Sequence, residues 1–184
     1  YRDCGPGNTN NTALDPQAAI GIFNSSGGLV NTVHFDLPGE ISVPVLATSP
    51  CQTAPPSVCA KEGIYTGVIH LPSGTGGYTL SYQRCCRSPT VINLNNNPSS
   101  QGMTCTVHVP DAAVTGPNSS PIFSDDPPVA MCLDQTMSID QLATDPDGDS
   151  LAYALCAPLQ GGDNAINVMH DPPAPPPSAS VYWA

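Results

Sequence analysis

The 184-residue chain sets four Lys+Arg against fifteen Asp+Glu, a formal net charge of −11. That balance repels phosphate backbones, so nucleic acid and anionic membranes are poor partners, while cations such as Ca²⁺ are favoured. Charged residues make up only 10 % of the chain, against about a quarter in ordinary domains. Solubility then rests on Ser, Thr, Asn and Gln, or on attached sugar.

Twenty-two Pro and sixteen Gly, spread throughout, leave no window for a long helix. No stretch approaches the length of a membrane-spanning helix. The chain opens abruptly at Tyr1-Arg2-Asp3-Cys4, which reads as the start of a mature or trimmed product. Period-two alternation then recurs. Val33, Phe35 and Leu37 fall on one face of Thr32–Leu37, and Ile41, Val43, Val45 and Ala47 on one face of the next run. Tyr78, Leu80 and Tyr82 alternate with Thr79, Ser81 and Gln83. Met103, Cys105, Val107 and Val109 alternate with Thr104, Thr106 and His108. Turn clusters at Ser25–Gly28 and Ser73–Gly77 separate these runs.

The pattern is that of antiparallel strands with one face to a core and one to water, an all-β chain built on an Ig-like β-sandwich. Between Pro110 and Pro128 turn chemistry takes over, broken by Pro121-Ile122-Phe123. The expected boundary lies there, with a sandwich over 1–116 and a smaller β module over 117–184. Strands of the second module are expected near Val129–Leu133, Met137–Ala143, Leu151–Cys156 and Ser180–Trp183, the last stopping where a strand should continue. The proline run Pro172–Pro177 suits a stiff polyproline II loop or a sheet edge.

Eight cysteines, without the paired spacing of zinc ribbons, argue for disulfides and an oxidising, extracellular compartment. Cys51 and Cys59 bracket a short loop and form the first expected bridge; Cys132 with Cys156 form the second. Cys4, Cys85, Cys86 and Cys105 remain for the first module. Adjacent Cys85 and Cys86 point to opposite faces of a strand, one toward the core and one toward an edge or terminus. A redox-active Cys85–Cys86 bridge lacks a partner thiol and an activating base.

Asp145-Pro146-Asp147-Gly148-Asp149 places three carboxylates at alternate positions on a tight turn, a donor set suited to Ca²⁺. The register does not fit an EF-hand, which would need Gly at Ser150 and Glu at Cys156. Asn118, Asp125 and Asp126 are further candidate oxygen donors. The competing reading is an Asp/Gly hairpin turn held by Asx hydrogen bonds. Histidines carry little: His34 and His108 fall on polar faces, His70 ends a strand, and Cys105 and His108 project to opposite faces. Sequons stand at Asn10, Asn24 and Asn118. No nucleophile elbow, zinc-protease helix or phosphate-cradling glycine loop occurs, so the chain reads as not an enzyme.

Two resemblances add to this reading. Asn118-Ser-Ser-Pro-Ile-Phe123 followed by Ala143-Thr-Asp-Pro-Asp-Gly-Asp-Ser-Leu-Ala-Tyr153 resembles the opening of a cadherin-like domain. That resemblance implies calcium-ligating roles for Asp145 and Asp147, and more loosely for Asn118 and Asp149. Tyr1–Cys4, Gly77–Arg87 and Asp145–Leu151, in that order, resemble the repetitive secreted gliding-motility-associated proteins of Bacteroidota. Those look like exported adhesins or surface fibres sent out by the type IX route. Asp149-Ser150-Leu151 also resembles the O-glycosylation signal of that phylum, at Ser150. The expected function is therefore a secreted structural or adhesive surface protein, its open strand edges filled by copies of itself. The alternative is a carbohydrate-binding module that stacks surface glycans on Tyr65, Tyr78, Tyr82 or Trp183. A hydrolase would need an acid pair that the sequence does not place.

Overall fold

A computed structural model describes residues 2–3, 14–43, 60–73, 75–85, 87, 91–94, 97–124, 136 and 138–161. The chain is all-β in character. Its strands are β1 Arg2–Asp3, β2 Gln17–Asn24, β3 Leu29–Asp36, β4 Glu40–Val43, β5 Ala60–Gly63, β6 Tyr78–Arg84, β7 Met103–Val109, β8 Ile122–Phe123 and β9 Ala143–Thr144. A short α-helical turn, α1 (Ala112–Thr115), is capped by the Asp111 side chain, which accepts from the Ala113 N–H. The described strands form three antiparallel sheets, ordered β1-β5-β4, β3-β2-β6-β7 and β8-β9.

Two compact units emerge, and they interleave along the chain. One draws on Tyr1–Leu14, Leu37–Ile64 and Ser119–Ala152; the other on Asp15–Asp36, Tyr65–Asn118 and Tyr153–Ala184. The switch between Asn118 and Ser119 falls beside the boundary expected near 117. Elsewhere the units do not follow the linear order of the chain, since Ser119–Ala152 groups with Tyr1–Leu14 and Leu37–Ile64, and Tyr153–Ala184 with Asp15–Asp36 and Tyr65–Asn118. Sheet partners are chosen by long-range pairing, which leaves no mark at the points where the chain crosses over.

The core sits in the four-stranded sheet. β2 has a neighbour on both sides, and Ala18, Ala19, Ile22 and Phe23 are all buried. Burial on both faces removes the alternation that would announce such a strand. Ala18 pairs with Phe35, Ile20 with Val33 and Ile22 with Asn31. A bulge then sets Phe23 opposite Leu29, with Val30 as the extra residue. β2 and β3 meet in a turn whose Asn24 Oδ1 accepts from Ser26 N (3.0 Å) and Gly28 N (2.9 Å).

The faces of β6 and β7 run against the expectation. Ser81 and Gln83 are 0 % and 1 % exposed, and Thr104 is 6 %. They share a face with Ala19, Gly21 and Phe23, as the pairs Gly21↔Ser81, Phe23↔Thr79 and Gln83↔Thr104 require. The apolar face is the more open one. Met103 and Val107 are 42 % and 46 % exposed there, and Cys105 is exposed. Part of that face is covered where Gly67 lies against the Phe35 ring, so closely that an added Cβ would fall 2.1 Å from it. Alternation in sequence correctly separated two faces, but burial depended on what lies over each.

Two polar ties brace these sheets. In the larger sheet's unit, Arg84 Nε and Nη2 donate to Asp15 Oδ2 and Oδ1 at 2.5 and 3.0 Å, a two-pronged pair largely out of water. The Tyr65 hydroxyl donates to the Asp15 carbonyl at 2.6 Å. In the other unit Lys61 Nζ lies 2.6 Å from Glu40 Oε2, and Leu14 N donates to Glu40 Oε1 at 3.1 Å.

Candidate functional site

The outer edges of the four-stranded sheet are its most available surface. β3 has a strand neighbour on one side only among the described residues, and runs for eight residues. Leu29 and Val30 at its start are 48 % and 45 % exposed. At the other edge, Thr104 of β7 forms one antiparallel bridge with Leu159. Thr104 N donates outward to Leu159 O at 3.4 Å. Alternate residues of an edge strand share that direction, so Thr106 and His108 also turn their backbone groups outward. A second apolar surface lies in the other unit, where Ile122, Phe123 and Leu142 are 65 %, 60 % and 58 % exposed. Edge strands and exposed apolar side chains are the features through which sheets recruit other chains.

The acidic turn forms as a turn. Asp145 Oδ1 accepts from Asp147 N (2.8 Å) and Asp149 N (3.2 Å), and Gly148 N donates to the Asp145 carbonyl at 3.2 Å. Asp147 Oδ2 accepts from Ser119 N. The segment opening at Ser119 and the acidic turn are thus brought together, and β8 pairs with β9 beside them through Ile122↔Thr144 and Phe123↔Ala143. Two carboxylate oxygens serve backbone N–H groups, as the Asx-turn reading requires. Among the described residues no three His, Cys, Asp or Glu side chains are grouped to share one metal ion. Asn118, the fourth expected ligand, belongs to the other unit; Asp125 and Asp126 lie outside the described residues.

Cys85 is disulfide-bonded. Cys105 and Cys156 are free, exposed thiols, which corrects the expected Cys132–Cys156 bridge and the placement of Cys105 among the bridged residues. The reason is local. Cys105 stands on the open face of an edge strand, and Cys156 lies in an exposed segment that forms no strand although one was expected over Leu151–Cys156. Cys4, Cys51, Cys59, Cys86 and Cys132 fall outside the described residues, as do Asn10 and Trp183. Asn24, Asn118 and Ser150 are exposed.

The tyrosines expected to stack sugars are buried or half-buried. Tyr78 is 8 % exposed and donates its hydroxyl to the Pro72 carbonyl at 2.9 Å. Tyr65 is anchored on Asp15, and Tyr82 is half-buried. A cleft between Leu71–Ser73, Tyr78 and Val109–Ala113 has a volume of about 170 Å³. Ligand pockets usually span about 300–1,000 Å³. The Lys61 ammonium, which donates to Glu40, and the Leu14 N–H together hold the Glu40 carboxyl below its ordinary range. What sequence reasoning missed is the sheet's own frame: β2, β5 and the Arg84–Asp15 pair. Arg84 is one of only four basic residues, the one hint available.

By fold the chain is an all-β protein of antiparallel sheets. No family pattern, no curated protein and no solved structure matches it. Among the described residues no helix is long and apolar enough to cross a membrane.

Proposed function

We propose that this chain is a non-enzymatic extracellular structural or adhesive surface protein that assembles by strand addition. The observation that carries the reading is the eight-residue outer edge of β3, which opens with half-exposed Leu29 and Val30. Main-chain hydrogen bonds to such an edge supply affinity, and alternate side chains supply specificity. An extended segment of another copy is the proposed occupant. Secretion by the type IX route, an Ig-like sandwich and a cadherin-like second module belong to the same reading and rest on the sequence resemblances.

Electron microscopy and sedimentation of the oxidised protein test it. Filaments or defined oligomers are expected. The double substitution Leu29→Lys, Val30→Lys places charge along the edge and should return monomers with little change in melting temperature. Monomers of the unmodified protein at high concentration, or assemblies indifferent to the substitutions, would overturn the reading.

A cation joins the proposal in a secondary role, with Asp145, Asp147 and Asp149 as donors through the oxygens not used by backbone N–H groups. Extracellular sites of this kind bind Ca²⁺ at about 10⁻⁴–10⁻³ M. Millimolar calcium should then raise the melting temperature, and EDTA should reverse the rise. A melting curve unmoved by both reduces the segment to a turn.

A further inference from the structure

β3 and β7 are the outer strands of the four-stranded sheet, and they differ as edges. At its Met103 end β7 is already met by the chain: Thr104 N donates to Leu159 O at 3.4 Å, Thr104 Oγ1 to Gln160 O at 3.0 Å and Arg87 Nη2 to Leu159 O at 3.3 Å. A partner strand laid along β7 would have to displace Leu159. β3 has β2 as its only strand neighbour among the described residues. The bulge at Val30 leaves Asn31–Asp36 as its regular stretch, long enough for a ladder.

Charge sets β3 apart as well. A second copy also carries −11, so two copies approach most easily where ionised groups are sparse. β1, β4 and β5 bear Arg2, Asp3, Glu40, Lys61 and Glu62. Asp36 is the sole carboxylate of β3, and it accepts from Gln17 Nε2 at 2.6 Å. Two β3 strands laid antiparallel about Val33 keep their Asp36 carboxylates about 20 Å apart along the strand. That is well beyond the screening length of about 8 Å at physiological salt. The faces agree too: Ile20↔Val33 and Ala18↔Phe35 set Val33 and Phe35 on the face of Ile20 and Ala18. Opposed residues of an antiparallel ladder share a face, and a two-fold axis normal to the sheet carries that face across the joint. Parallel two-fold pairing turns one copy over and sets the two Asp36 side chains level.

We propose that, given assembly through β3, the occupant of that edge is β3 of a second copy, paired antiparallel about a two-fold axis. The joint is isologous: each copy offers the same strand and receives the same strand. It joins two four-stranded sheets into one, with β3 beside β3 at the centre and β7 at either end. Both β3 edges are used up in the pairing, so growth through them stops at two copies. The assembly is therefore a closed dimer and not a fibre built head to tail from β3 to β7.

The test follows the full chain by sedimentation and by hydrogen exchange across a range of protein concentrations. The expected species is a dimer. Exchange in the peptide covering Leu29–Asp36 should slow as it forms, while exchange in the peptide covering Met103–Val109 stays constant. Slowing in both peptides, or growth beyond two copies, means a head-to-tail joint; it overturns the two-fold pairing and leaves assembly through β3 standing. Assembly that slows neither peptide overturns both, and so does a monomer at every concentration. A charge swap gives a second reading. Thr32→Lys and Thr32→Glu should each weaken the dimer alone, because an isologous joint sets each new charge near its own copy. An equal mixture of the two variants should recover it. A mixture no more associated than either variant alone overturns the pairing.

Discussion

Gly27 and Gly77 offer a controlled pair of perturbations, because they share a backbone conformation and differ in surroundings. Their φ angles are 80° and 72°, in the region that side-chain-bearing residues avoid. A Cβ on Gly27 would meet nothing within 4 Å, whereas a Cβ on Gly77 would fall 2.3 Å from the Val109 carbonyl oxygen. That oxygen belongs to the end of β7, where Val109 pairs with Tyr78, so it cannot swing aside as a side chain could. Gly27→Ala therefore carries conformational strain alone, partly offset by a stiffer unfolded chain, about 1 kcal/mol net. Gly77→Ala carries the same strain plus overpacking of about 1–3 kcal/mol. For a chain of this size each kcal/mol lowers the melting temperature by about 2–4 °C. Calorimetry should then show a drop of about 2–4 °C for Gly27→Ala and about 5–15 °C for Gly77→Ala. Equal drops in the two variants would refute the close approach of Gly77 to β7.

The remaining predictions concern the four-stranded sheet with its Asp15–Arg84 pair, and separately the Glu40–Lys61 pair. Phe23 is 1 % exposed at the centre of the four-stranded sheet, so Phe23→Ala should cost about 3–5 kcal/mol in urea unfolding; a loss below about 1 kcal/mol would mean the face is not packed. Asp15→Ala strands the Arg84 guanidinium in a largely buried position and should cost about 2–4 kcal/mol. Adding Arg84→Met should recover part of that loss, and a double variant as unstable as the sum of the two singles would argue against the pairing. Glu40 is held below its ordinary pKa, first by the Lys61 hydrogen bond and then by Leu14 N. A depressed folded-state pKa stabilises the chain above the unfolded value and loses that contribution as pH falls through the folded one. In an NMR titration the Glu40 carboxyl should titrate below 4.5, and Lys61→Ala should move it upward; an unmoved titration removes the ion pair.

Several elements were legible in the residues alone. β7 was expected over Met103–Val109 and forms over that span; β6 was expected from Tyr78 and runs to Arg84. Both pair alternation with turn-forming neighbours, and that is local information. The Asp145–Asp149 segment was legible as a turn, because Asp and Gly make the same Asx hydrogen bonds wherever they stand together. β2 was not legible. Its Ala-Ala-Ile-Gly-Ile-Phe core is apolar without period, since a strand buried on both faces has no polar face to alternate with. β5, Ala60-Lys61-Glu62-Gly63, carries no apolar pattern at all and is a strand because β1 and β4 lie on either side of it.

Composition determined the all-β character. Proline and glycine at this density break helices through their own backbone chemistry, whatever the rest of the chain does. Tertiary structure alone decided which face of each strand is inside. Ser81, Gln83 and Thr104 are buried while Met103 and Val107 stand half in water, because burial is set by whichever distant segment comes to lie over a face. It also decided that Leu159 bridges Thr104 at the edge of β7. Fifty-five positions separate those two residues in the chain, and no local pattern announces their meeting.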